Sequence, residues 1–235
     1  MIRQGGRAPS PAAFVWAAFV CACIFYAAGH APQPRVRPAT LADRPAIIAV
    51  LAAAFIDDPA LAWIFPDAAR RPARLTRFFD LITRADGRLP LAHVACASDG
   101  RIIGATLWRP PGAWGLPTTS LIANLPRLVA TFTTALPRTL GLMGAMDHQH
   151  DRRPHWYLQF IGVAPEAQGT GIGGALLRAG LARAAGQPCY LETATPSNVG
   201  LYQAHGFAVR NEWQHGDAPH FWSMWHPGGV TAAAQ

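Results

Sequence analysis

The sequence predicts an α/β domain, and three observations carry that prediction. Apolar, aromatic and β-branched runs at 91–97, 101–108, 156–163 and 221–225 read as strands. Between them, amphipathic stretches recur with helical spacing. A glycine-rich segment at 164–174 opens a helix straight after a strand. With 51% apolar and 14% charged residues the chain can build a core and is not a disordered protein. Its 235 residues allow one domain with a modest extension.

In order along the chain, Val36–Ala39 forms a short strand. Thr40, with Asp43 three residues on, resembles a capping box and opens an apolar helix through Ile47, Ile48, Leu51 and Phe55. Asp57, Asp58 and Pro59 stop it. A second helical region through Leu61, Trp63, Ile64 and Phe65 breaks at Pro66. It resumes from 68 to about 85 with Leu75, Phe78, Phe79 and Ile82 on one side. Arg70, Arg71, Arg74 and Arg77 form a basic stripe on that helix, expected to be a solvated face rather than a phosphate site. Ser98-Asp99-Gly100 joins two runs as a hairpin, since Asp-Gly is a strong short turn signal. Residues 110–154 are interrupted by proline and partly helical (121–130, 134–146). That is too long for a simple connection, so they are expected to be an insertion that shapes a pocket. The last hairpin runs over 207–213 and 221–225.

Charge and cysteine usage narrow the function classes. All twenty basic residues are arginine, which excludes a Schiff-base or P-loop lysine, and the net charge of +7 suits an anionic ligand. The arginines are scattered rather than gathered into an arm, so no nucleic-acid partner is expected. Cys21, Cys23, Cys96 and Cys189 include no C-x-x-C pair and read as buried thiols. Residues 1–34 differ in composition from the rest: an uncharged apolar stretch, 11–29, follows Arg3 and Arg7. A membrane anchor, a signal peptide and sequence upstream of the true start are three readings of it. Membrane contact is expected only through residues 11–29, and oligomeric state is not legible.

Trp156–Val163 is a strand by composition, and A-P-E-A-Q-G-T-G-I-G-G follows, then an apolar helix. This arrangement aims unpaired N–H groups and the positive end of a helix dipole at one place, which holds phosphates without lysine. Glycine permits close approach and positive φ. Gly169, Gly171 and Gly174 also spell a dinucleotide fingerprint, with Glu192 near the place of its ribose acid. Against that reading, Ala164–Gln168 separate the first glycine from the strand, and too little chain follows for further βα units.

Val163-x-Pro165-x-x-Gln168-Gly169-Thr170-Gly171-Ile172-Gly173 resembles the acyl-CoA loop of the GNAT superfamily of N-acetyltransferases. Leu191-Glu192-Thr193, Pro196, Asn198, Tyr202 and Gly206-Phe207 are spaced as in its puromycin N-acetyltransferase-like branch. V-R-P-A-T-L-A-D near the start, A-F-x-D-D-P around Phe55, P-H-W-Y-L from Pro154 and S-M-W-H-P near the end are similar to that branch too. The resemblance covers residues 35–227 and implies a GNAT fold: a mixed, mostly antiparallel sheet with the parallel fourth and fifth strands splayed and helices on both faces. Residues 1–34 would be an extension and 228–235 a tail. It further implies that acetyl-CoA lies in the gap. Phe160, Ile161, Gly162 and Val163 would contact its acetyl and pantetheine groups, and Gln168, Gly169, Thr170, Gly171, Ile172, Gly173 and Gly174 would cradle its pyrophosphate. Backbone N–H near Ile161 would stabilise the oxyanion, and no metal is needed.

Two proton movements are left to assign. Glu192, one of only three glutamates, is the candidate base for the acceptor ammonium, with a structural carboxylate as the equal alternative. Tyr202 matches the family's general acid for the departing thiolate, and otherwise would be a half-buried aromatic. Asn198, four residues before it on one helix face, would bond pantetheine amides or seat the strand end. His148, His150 and His155 are expected on a polar loop without metal spacing, though one could serve as a base at the acceptor site. His215, His220 and His226 read as turn residues. The expected protein is a cytoplasmic N-acetyltransferase acting on a small-molecule amine in a ternary complex, with a non-catalytic acyl-CoA-binding module as the alternative.

Overall fold

The computed structural model describes residues 34–84, 91–115 and 118–229. The expected apolar stretch 11–29 and the chain end beyond 229 lie outside the described residues, as do Cys21 and Cys23.

Seven strands form one sheet: β1 (Arg35–Pro38), β2 (Leu91–Cys96), β3 (Ile102–Arg109), β4 (Trp156–Val163), β5 (Cys189–Thr193), β6 (Ala208–Trp213) and β7 (Phe221–His226). Their order is β1-β2-β3-β4-β5-β7-β6, and every neighbouring pair is antiparallel except β4 with β5. The described helices are α1 (Arg44–Ala54), α2 (Pro59–Ile64), α3 (Arg71–Arg84), α4 (Thr118–Ala123), α5 (Leu125–Phe132), α6 (Leu136–Gln149), α7 (Ile172–Arg183) and α8 (Pro196–Gln203). They flank the sheet on both sides. A Cβ at Gly104 would meet Leu176 and Ile172 of α7, whereas one at Gly162 would meet Ala54 and Leu51 of α1. Because side chains alternate along a strand, these contacts put α7 and α1 on opposite faces.

The N-terminal signal acts as the residues require. Asp43 accepts bonds from the Thr40 N–H and hydroxyl and takes a bidentate clasp from Arg37 at 2.7 and 2.8 Å. That clasp ties β1 to the entry of α1. The guanidinium holds the Asp43 carboxyl well below the usual carboxylate range. On α1, Ile47 and Leu51 are fully buried against the sheet, each stabilising the fold by about 1.5–3 kcal/mol relative to an exposed side chain.

One sequence expectation is corrected on α3. The arginine stripe is not uniformly a solvated face. Arg71 turns inward to donate to the carbonyls of Phe65 (2.9 Å) and Ile56 (3.1 Å), and Arg74 donates to Thr131 O and Thr133 Oγ1, both at 2.9 Å. From α6, Arg138 donates to Ile64 O at 2.7 Å. Arginine forks reach carbonyls that have no helical partner, so α5 and α6 are anchored to α2 and α3. Phe132 of α5 stacks on Phe65 and meets Phe78 edge-on. α5 and α6 thus roof the sheet over the ends of β4 and β5.

Candidate active site

β4 and β5 pair only at Trp156↔Cys189, Tyr157↔Tyr190 and Leu158↔Leu191. Beyond Leu158, β4 runs on beside β3 to Val163 while β5 runs on beside β7 to Thr193, so the two strands part. A bulge falls at the same point. Leu107 faces Phe160 and Trp108 faces Leu158, which leaves Gln159 as the extra residue, its side chain taking a 3.0 Å bond from Arg109 Nε. The bulge puts Tyr157 and Phe160, three residues apart, on the same face.

On the outer side of the gap lies the glycine loop. Gly169 (φ 74°) and Gly171 (φ 82°) occupy the left-handed region, where a Cβ is strained; around both there is open space. Their requirement is therefore conformational. The Thr170 hydroxyl donates to Ala167 O at 2.7 Å, and Gln168 Nε2 to Val163 O at 3.1 Å, which fixes the turn. Ile172, Gly173 and Gly174 form the first turn of α7, so their N–H groups have no intrahelical acceptor and meet the positive end of the dipole. Gly174 lies against the ring of His205, in the turn that follows α8, where a Cβ would approach to 3.1 Å. At Gly162 the space a Cβ would need is taken by α1, so packing alone already demands glycine there.

On the inner side is a cavity of about 300 Å³. Phe160, Ile161, Leu191, Glu192, Asn198 and Tyr202 line it below; α5 and α6 supply Leu128, Phe132, Leu142, Met143 and Met146 above. Of the candidate residues, the structure brings Phe160, Ile161, Glu192, Asn198 and Tyr202 to this cavity and leaves residues 168–174 on the loop at the start of α7.

Glu192 is held by two tyrosines. Tyr190, two residues back on the same face of β5, donates to Oε1 at 3.0 Å, and Tyr157, paired with Tyr190 across the strands, donates to Oε2 at 3.4 Å. Burial nevertheless outweighs both bonds and pushes the carboxyl up to about 7. Tyr157 was not among the expected site residues, nor was Tyr190. Their signal was the alternation that puts 190 and 192 on one face.

Asp58, at the start of α2, caps that helix through a 3.0 Å bond from the Leu61 N–H, and its other oxygen accepts from Thr195 Oγ1 at 3.4 Å. Burial raises its pKa above the ordinary carboxylate value. The Tyr202 hydroxyl is also raised, first by burial and then by the Asp58 charge, so it keeps its proton at neutral pH.

The histidines depart from expectation. His150 and His155 are not on a polar loop: each is 4% exposed, and their Nε2 atoms are 3.1 Å apart. His155 Nδ1 lies 2.6 Å from the Arg153 carbonyl and must donate to it, so His155 Nε2 accepts and His150 Nε2 donates. His150 also stacks on Trp114 with centroids 4.1 Å apart. Burial, and then the neighbouring His155 and Arg152, push His150 down to about 4, which makes it a poor proton acceptor near neutrality beside a carboxyl at about 7. Among the described residues there is no group of three His, Cys, Asp or Glu able to hold a metal ion.

The acetyltransferase (GNAT) family profile matches residues 53–207, more than half of the chain. The chain belongs to the GNAT family. The seven-stranded sheet with its parallel β4–β5 pair is the GNAT fold the sequence predicted. Among solved structures, this GNAT chain is similar to the histone acetyltransferase HPA2 and related acetyltransferase from Corynebacterium glutamicum, with 32% identity and a TM-score of 0.67 over 86% of this chain and 99% of that one. Arylalkylamine N-acetyltransferase 2 from Aedes aegypti shares the fold at 12% identity and TM-score 0.55, over 82% of this chain and 98% of that one. The polyamine N-acetyltransferase of Drosophila melanogaster does so at 16% and 0.52, over 81% and 98%. Among the described residues of this GNAT protein, no helix is long and apolar enough to cross a membrane.

Proposed function

We propose that this GNAT protein transfers an acetyl group from acetyl-CoA to the amine of a small molecule by direct attack in a ternary complex. The observation that supports it is the parting of β4 from β5 between a left-handed glycine loop and a cavity lined by Glu192 and Tyr202. A thioester reaching through that gap would meet an amine in the cavity.

The residues suit acetyl-CoA. Beyond Leu158, the β5-facing edge of β4 has no strand partner, so Phe160–Val163 can pair with the pantetheine amides. Gln168–Gly174 can cradle the pyrophosphate through N–H groups and the α7 dipole. Bound there, acetyl-CoA supplies the activated acyl group.

This chain's own groups then divide the work. Glu192 takes the proton from the acceptor ammonium: a carboxyl near 7 is half ionised at neutral pH and is matched to that task. Backbone N–H near Ile161 stabilises the oxyanion as the amine adds to the thioester carbon, an effect of about 3–4 kcal/mol in acyl transfer. As the carbon–sulfur bond breaks, Tyr202 gives its hydroxyl proton to the departing thiolate. Asn198, one turn earlier on α8, bonds the pantetheine. We take the puromycin N-acetyltransferase-like branch as the family pattern, residues 1–34 as an extension to the domain and the cytoplasm as the place of the reaction.

A screen of amines with acetyl-CoA, following thiol release, tests this reading. Acetyl-CoA bound with no release for any amine would favour a binding module instead.

A further inference from the structure

The cavity's lining narrows the choice of acceptor. Two carboxylates, Asp58 and Glu192, stand on its walls, and among the described residues no arginine does. Opposite them the lining is hydrocarbon and sulfur: Leu128, Phe132, Leu142, Met143 and Met146.

Two polar side chains of that roof already hold bonds to their own helices. The Thr139 hydroxyl donates to Ala135 O at 2.8 Å, while Asn124 donates to Ser120 O at 2.8 Å and accepts from Arg127 at 3.2 Å. A side wall is the flat pair Trp114–His150, whose imidazole spends Nε2 on His155. A charge carried to the roof would therefore lose water to a lining that offers it no opposite charge, a cost that selects against it. One charge alone is matched, a cation at the acidic wall, where the ammonium and the carboxylates keep each other ionised.

We infer that the acceptor is an apolar monoamine, its ammonium at the wall formed by Asp58 and Glu192 and its hydrocarbon body under α5 and α6. This rests on the N-acetyltransferase reading. Acceptors with a second ammonium or with a carboxylate beside the amine are selected against by the same lining.

Two matched pairs test it on the full chain: 2-phenylethylamine against phenylalanine, which adds a carboxylate, and hexylamine against 1,6-diaminohexane, which adds a second ammonium. Each amine is assayed for thiol release with acetyl-CoA and, separately, for its effect on Tm. The expected result is a kcat/KM about 100-fold or more higher for each monoamine than for its partner, and a Tm raised by the monoamines only. A partner that equals or beats its monoamine in both assays overturns the inference, as does a Tm unmoved by all four. Thiol release without this selectivity leaves the transferase reading intact and sinks the acceptor class. Selective Tm shifts with no thiol release for any amine do the reverse. Met143→Arg gives a gain-of-function arm, because Met143 is 47% exposed and an arginine there need not be buried whole. It should lower kcat/KM for 2-phenylethylamine and raise it for phenylalanine; an unchanged ratio counts against the inference.

Discussion

Tyr190 lies with its hydroxyl 3.0 Å from Glu192 Oε1 and 3.0 Å from Ser223 Oγ, and Ser223 Oγ in turn receives the Trp213 indole N–H at 3.0 Å. An indole can only donate and an ionised carboxylate can only accept, so every proton in this chain points the same way, from Trp213 to Glu192. The carboxylate is thus supported from the β6–β7 hairpin.

The first prediction is a pH profile. With Glu192 as base, kcat/KM should rise as pH increases through about 7 and then level off as the carboxyl ionises. Glu192→Gln should lose that limb and drop about 10²- to 10⁴-fold in kcat. An unchanged limb in the variant assigns the titration elsewhere and makes Glu192 structural.

Stability should move the opposite way. Burial raises the folded pKa of Glu192 above the ordinary 4.5, so the folded state binds more protons than the unfolded one between about 4.5 and 7, and stability falls as pH rises through that window. At its full extent the loss is about 3 kcal/mol. Glu192→Gln carries no such loss, so its Tm should exceed the parent's at pH 8 by more than at pH 5. Parallel Tm curves for the two proteins would contradict the raised carboxyl.

Tyr202→Phe removes only a hydroxyl from a buried ring. The expected result is a kcat lower by about 10²- to 10⁴-fold with acetyl-CoA affinity nearly unchanged, since the proton is needed only when thiolate departs. A normal kcat where thiolate departure limits the rate would reassign Tyr202 to packing.

Gly171→Ala tests the loop. At φ 82° an alanine is strained by about 1–2 kcal/mol although nothing stands near its Cβ. The variant should fold yet bind acetyl-CoA more weakly, which calorimetry would read directly; unaltered affinity would separate the loop's shape from binding.

Gly180→Ala should destabilise, against the usual gain of about 1 kcal/mol for alanine in a helix. A Cβ there would overlap the Trp108 ring, itself 1% exposed and unable to yield cheaply. Denaturant unfolding checks this, and a stabilised variant would show that α7 can shift off β3.

The order β4, glycine loop, α7 was legible because each signal is local: aromatic and β-branched content, glycines with positive φ, then an apolar helix. The hairpin at Asp99-Gly100 was legible for the same reason. What composition could not supply was long-range placement. His150 and His155 look solvated among Asp147, Asp151, Arg152 and Arg153, yet the two imidazoles turn inward against Trp114, Tyr190 and Trp225 while Asp151 and Arg153 pair outside. Arg71 and Arg74 share a helical stripe with the exposed Arg70 and Arg77, and only the neighbouring carbonyls decide which of them turn inward. The Tyr157–Glu192 contact joins residues 35 apart through the pairing of β4 with β5, which spacing alone does not reveal.

The extra residue at Gln159 acts as a phase switch within one strand. Before it, Tyr157 faces the carboxylate and Leu158 the α7 side; after it, Phe160 and Gly162 face the α1 side and Ile161 and Val163 the α7 side. Straightening the bulge so that Gln159 took a place in the ladder would invert every position downstream: Ile161 and Val163 would be driven against Leu51 and Ala54, and Gly162 would leave a void beside Ile172. Deleting Gln159 would instead leave Phe160 opposite Leu107 and every later side chain on its present face, losing only the Arg109 contact, so it is the bulge and not the number of residues from Trp156 to Val163 that sets which side chains meet α1.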